Sequence, residues 1–187
     1  MMLKLDFQDT VDITAKISEH LAFEKELPQN VFKYRDCVFY FIERPMLDND
    51  TVMASLIDSS THQFCAPVIV KYLGGVIQEG SCLSFSGKNT RNDLEEFEHG
   101  NRTFFDGTLD YPIVLCSRNM EWLAIESACD ELAVIAIKRA FFNGEFKEML
   151  HEHFISIGEL AAVSTKPGPD GVLAQTYLNH FATTQQY

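Results

Sequence analysis

The stretch EWLAIESACDELAVIAI (residues 121–137) decides how the chain is read, and it holds the only tryptophan. Residues 122–126 are too few for a helix and sit between charged side chains. The polar cluster 127–131 can turn the chain, which leaves 132–137 as a nearly continuous, partly β-branched apolar run. Such a run suits a central strand buried on both faces. The spacing therefore predicts a β-hairpin, the rival being a helix capped by Asp130 and running to Phe142. Asn143-Gly144 punctuates either version, and Trp122 is expected in the core rather than at an interface.

Working outward, the alternation of Val11, Ile13, Ala15 and Ile17 predicts a strand within 3–17. SEHLAFEKEL then reads as a helix with Ser18 as N-cap, ending before Pro28. VFKYRDCVFYFIE (31–43) reads as one long strand or a hairpin stopped by Pro45. A short helix follows in DNDTVMASLIDSS, capped by Asp50 or Thr51, with Val52, Leu56 and Ile57 on one face. APVIVKYLGGVIQEGSCLSFSG gives two apolar segments joined at Gly74-Gly75, and TFFDGTL and PIVLCSR give short strands. Helical stripes recur late, in Phe146, Met149, Leu150 and Phe154, then in Val172, Leu173, Tyr177 and Phe181. STKPGPDG between them is an exposed loop. The expected architecture is α+β: a central, largely antiparallel sheet flanked by helices, with helices at the C-terminus and residues 1–187 in one domain.

The 187 residues are 46% hydrophobic and 22% charged, which is the composition of a globular chain able to bury a core without disulfide or metal. Net charge is −12, from 27 acidic and 15 basic residues. That field repels phosphate backbones and anionic lipid, so nucleic-acid and membrane partners are disfavoured, while a cationic protein is attracted. Acidity that serves only solubility is the plainer explanation. The cysteines, at 37, 65, 82, 116 and 129, contain no C-x-x-C pair and make neither a disulfide framework nor a zinc knuckle. MMLKLDFQDT has no basic start followed by an apolar block, so the expectation is a cytosolic protein with reduced thiols.

Apparent catalytic motifs fail on chemistry. Asp106-Gly107-Thr108-Leu109 is the tail of an aspartate-nucleophile phosphatase signature, but the nucleophile's place holds Phe104, which cannot be phosphorylated. SFSGKNT lacks the parts of a phosphate-binding loop, with Asn89 after Lys88 and Cys82 where the first glycine belongs. On a helix, His151 and His153 point about 200° apart and cannot share a metal. The sequence therefore implies no catalytic group, cofactor or metal ligand. A composite thiol or carboxylate hydrolase site, built from distant residues, stays open as the alternative.

NDLEEFEHGN is the feature that stands out. Asp93, Glu95, Glu96 and Glu98 place four carboxylates within six residues around Phe97. One reading is a solvated helix or loop. The other is a partner-binding patch: negative charge with an aromatic anchor, suited to a basic protein.

YPIVLCSRNMEWLAIESACDELAVIAI resembles a pattern in small immunity proteins of bacterial polymorphic-toxin and contact-dependent growth inhibition systems. There a strand ending in a polar turn precedes a Trp-led strand, and an acidic turn leads into an apolar strand. Leu115, Ser117, Trp122, Asp130, Glu131, Ala133, Val134 and Ile135 carry the resemblance, within residues 111–142. It implies a cytosolic protein that binds and neutralises a cognate toxin, without enzymatic activity. No functional residue carries over from it. A self-associating module is a further possibility.

Overall fold

In the computed structural model, which describes residues 2–104, 111–128 and 130–182 (backbone only at 101–103), the deciding stretch is a hairpin. β6 (Trp122–Glu126) pairs antiparallel with β7 (Leu132–Lys138), from Trp122↔Ile137 to Ile125↔Val134. The rival helix is excluded. β5 (Ile113–Ser117) pairs antiparallel with β6, so residues 113–138 form a three-stranded meander.

The meander is the middle of one eight-stranded sheet in the order β1-β4-β3-β5-β6-β7-β2-β8, with every pairing antiparallel. β2 (Cys37–Glu43) flanks β7 along its whole length. β3 (Val68–Lys71) and β4 (Cys82–Phe85) form the hairpin expected around Gly74-Gly75. β1 (Leu3–Lys4) and β8 (Ile155–Ser156) are two-residue edges. With the helices, this is the α+β architecture the sequence predicts.

Helices cover both faces of the sheet, and side-chain alternation sorts residues between two cores. Val68, Val70, Leu115, Trp122, Ala124, Ala133, Ile135 and Ile137 face one side. There they meet α2 (Asp50–Phe64), α3 (Thr90–Phe104) and α4 (Gly144–His153). Ile69, Val114, Cys116, Leu123, Ile125, Val134 and Ala136 face the other, against α1 (Phe7–His20), α5 (Ile157–Ser164) and α6 (Pro169–Phe181). Burial on both faces explains why β5 to β7 read as unbroken apolar runs rather than alternating ones. Trp122 is fully buried, stacked on Phe146 at 5.4 Å, and its Nε1–H donates to the Ser60 hydroxyl at 2.8 Å. Pairing that one polar atom is what lets the indole occupy a dry core.

The predicted strand within 3–17 and the helix after it are both overturned. Residues 7–20 are helical, with the Asp6 carboxylate accepting from the Asp9 N–H as N-cap. The buried positions are Thr10, Ile13, Thr14 and Ile17, a helical i, i+3, i+4, i+7 stripe. Ile13 and Ile17 satisfy both periods; Ala15, which completes the alternation, is exposed. Thr10, Thr14 and Ser18 hydroxyls donate to carbonyls one turn back, which hides their polarity from the core. Ser18 is thus inside the helix rather than capping the next one. The long strand expected from 31 begins only at Cys37, with Phe32 held by a single bridge to Leu21.

Other boundaries shift by smaller amounts. Asn49, not Asp50 or Thr51, caps α2, accepting from the Val52 N–H at 3.2 Å. On α6, Val172 is 68% exposed; the buried side is Ala174, Tyr177, Leu178 and Phe181. Residues 103–104 of the expected TFFDGTL strand are helical, while the rest of that segment, including the Asp106-Gly107 turn, lies outside the described residues. Among the described residues no helix is long and apolar enough to cross a membrane.

Candidate functional site

The acidic run 93–98 lies on α3, and the helical period divides it. Glu95, Glu96 and Glu98 face water, whereas Asp93, Leu94 and Phe97 turn inward. Phe97 is 3% exposed, packed edge-on to Phe85 at 5.6 Å and stacked with Tyr72 at 6.2 Å. This corrects the expectation of an aromatic anchor for a partner: Phe97 fastens α3 to the sheet. Asp93 is buried as well, so the solvent-facing patch is three carboxylates rather than four. Glu95 and Glu96 make no ion pair among the described residues. The Thr90 hydroxyl donates to the Asp58 carboxylate of α2, tying the start of α3 to its neighbour.

A second concentration of chemistry sits where the C-terminal ends of β2 and β6 meet the start of β5. A cavity of about 330 Å³ opens there, lined by Arg44, Asp48, Tyr111 and Glu126 among apolar Leu47 and Ile113. Glu126, the last residue of β6, is fully buried. One carboxyl oxygen accepts from the Tyr111 hydroxyl at 3.0 Å, and the other from the Met46 backbone N–H at 2.8 Å. Burial pushes the Glu126 carboxyl up from the usual range, against the opposing pull of the Met46 N–H, the Tyr111 hydroxyl and the Arg44 guanidinium. Burial, with the Glu126 carboxyl beside it, likewise raises the Tyr111 phenol to about 12. Arg44 lies over the Tyr111 ring, 5.6 Å from its centroid. Its Nε is buried with no acceptor, and Arg44 makes no ion pair among the described residues. Arg44 also lines a neighbouring cavity of about 440 Å³ between the sheet end and α5 and α6.

The thiols are placed for packing. Cys37, Cys82 and Cys116 are buried in the core beneath α1 and α6, free of disulfides. Burial pushes the Cys37 thiol up to about 12 and Cys82 to about 11, and raises Cys116 further still. A thiolate nucleophile at these positions is disfavoured. Cys65 is exposed, and Cys129 lies outside the described residues. His62 and Glu145 meet at 2.5 Å, joining α2 to α4, but on open surface, with side chains 80% and 55% exposed. His151 and His153 are on the helix α4, and His151 contacts the Tyr40 hydroxyl. Among the described residues no three His, Cys, Asp or Glu side chains are grouped to hold a metal.

Sequence reading passed over Glu126, and the one signal available was an acid inside an otherwise apolar run. The positions of Arg44 and Tyr111 beside it come from strand order, which nothing local in the sequence encodes. Comparison of the chain with protein-family models, curated proteins and solved structures gives no match.

Proposed function

We propose that the chain is an immunity-type protein, which neutralises a cognate, basic toxin domain by binding it through the solvent face of α3 in the cytosol. The observation that supports this most is the row of Glu95, Glu96 and Glu98, exposed on one helix of a chain with net charge −12. A negative face of this kind raises the encounter rate with a positive partner, and docks it where the potentials match. The meander of β5, β6 and β7 also has the strand pattern the resemblance implies, a Trp-led strand and then an apolar strand after an acidic turn. In this reading the sheet is scaffold and the helix face is the working surface.

Where the gene immediately upstream encodes a secreted protein with a variable C-terminal domain, the test is co-expression with that domain. Restored growth and a purified complex are expected; continued toxicity with no complex overturns the proposal. For the complex, Glu95→Lys with Glu96→Lys slows association about tenfold at low salt. A rate indifferent to both ionic strength and charge reversal removes α3 from the interface.

A carboxylate hydrolase is the second reading, and one observation favours it: Glu126, a buried acid with a raised pKa, lines a cavity beside a tyrosine. Ester turnover by the wild type that Glu126→Gln abolishes supports it. Turnover that survives the substitution excludes this residue.

A further inference from the structure

We infer that the cavity at the ends of β2 and β6 is a binding site for a small monocarboxylate with an apolar body, and that Arg44 holds its charge. This cavity is a different part of the molecule from the α3 face, and binding there requires no turnover.

A buried N–H without an acceptor costs about 1–3 kcal/mol, more for a charged group, and native structures fill such vacancies. Arg44 Nε has no acceptor within the protein, and the guanidinium as a whole has no ion-pair partner among the described residues. Acids are near it in the chain and in the cavities, at Glu43, Asp48 and Glu131, yet none lies within ion-pair distance. Glu126, whose oxygens accept from Tyr111 and Met46, makes no ion pair with Arg44 either. The guanidinium is held in place by the Tyr111 ring below it and by its own backbone, whose N–H donates to the Glu131 carbonyl at 3.1 Å. A positioned cation with a free, buried donor is what an oxyanion needs.

The rest of the lining selects the kind of anion. Among the described residues one basic side chain, Arg44, borders this cavity, with Asp48 and Glu126 also in the lining, and the whole chain is strongly acidic. Arg44 offers one positive charge with Asp48 close by, so a monoanion is tolerated there better than a dianion such as phosphate. Pro45, Leu47, Ile113 and Ala128 make an apolar part of the wall beside Tyr111 and Glu126, and this part accepts hydrocarbon. The volume of about 330 Å³ is at the small end of ligand pockets. Together these features fit a short-chain or compact carboxylic acid in its ionised form.

The experiment is an NMR titration of the full chain with sodium butyrate, butyramide as its neutral isostere, and inorganic phosphate. Butyrate is expected to shift the Arg44 Nε–H and the Met46, Glu126 and Ala128 amides saturably, at least tenfold more tightly than butyramide or phosphate. Arg44→Gln is expected to abolish this, while Lys166→Gln, in the neighbouring cavity, and Glu95→Lys on α3 leave it intact. Equal response to butyrate and butyramide, a tighter response to phosphate, or no shift at these residues overturns the assignment. The isostere comparison is made on the wild type, so the result does not depend on how well Arg44→Gln folds.

Discussion

Glu96 and Glu126 are the same residue type in opposite physical conditions. Glu96 stands in water on α3, where its field reaches outward over roughly 10 Å at 0.1 M salt and its loss leaves nothing unpaired. Glu126 is buried at the end of β6, where its influence is short-ranged and two donors, the buried Met46 N–H and the part-buried Tyr111 hydroxyl, depend on it. A carboxylate that recruits a partner must keep its hydration until the partner arrives. One that organises a cavity must give hydration up and be held by specific donors instead. The contrast separates the surface proposed for a protein partner from the cavity proposed for a small ligand.

The sharpest way to probe this is on α3 itself. Phe97→Ala empties a space between Tyr72 and Phe85 and is expected to cost about 3–5 kcal/mol of stability. Glu96→Ala, one residue away on the solvent side, changes stability by no more than about 0.5 kcal/mol. Urea denaturation of both variants measures the difference; comparable losses would mean that Glu96 is not solvent-supported. Next in size is Glu126→Ala, which leaves the Met46 N–H and the Tyr111 hydroxyl without their acceptor. A loss of about 2–4 kcal/mol is expected. Glu126→Gln preserves one acceptor for Met46 and a donor for Tyr111, so its cost stays under about 1 kcal/mol. An alanine variant as stable as the glutamine one would show that water reaches both donors.

The central hairpin was legible because its signals agree: a polar cluster at 127–131 between β-branched and aromatic runs admits few structures. The first helix was not. Ile13 and Ile17 fit both the strand period and the helix period, and only the threonine hydroxyls, which bond back along α1, make residues 10 and 14 fit to be buried. The α3 acids were legible as a charged helix or loop, but which of 93–98 meet water depends on where Tyr72 and Phe85 lie across the fold. Glu126 was hidden for a stronger version of that reason. Its partners are 15 and 80 residues away, and an acid ending a strand looks the same in sequence whether it meets solvent or a cavity.

The finest distinction between the two glutamates is in how stability follows pH. Burial raises the Glu126 carboxyl above the ordinary value, so the folded state holds its proton more tightly than the unfolded chain does. The stabilisation that this proton provides is complete below the unfolded-chain pKa, about 4.3, and is lost as pH rises through the folded-state value. Over that window the contribution falls by at most about 1.4 kcal/mol per pH unit, the limit for one proton. Glu126→Gln cannot ionise and lacks this loss, so its stability relative to wild type is expected to climb as pH rises above about 4.3. Urea midpoints for the two proteins between pH 4 and 8 give the difference curve directly. A flat curve, or one that slopes the other way, would mean that Arg44, Tyr111 and Met46 already hold Glu126 as a carboxylate. In that case Arg44 would have its counter-charge within the protein, and the cavity would have no charge left for an incoming anion to balance.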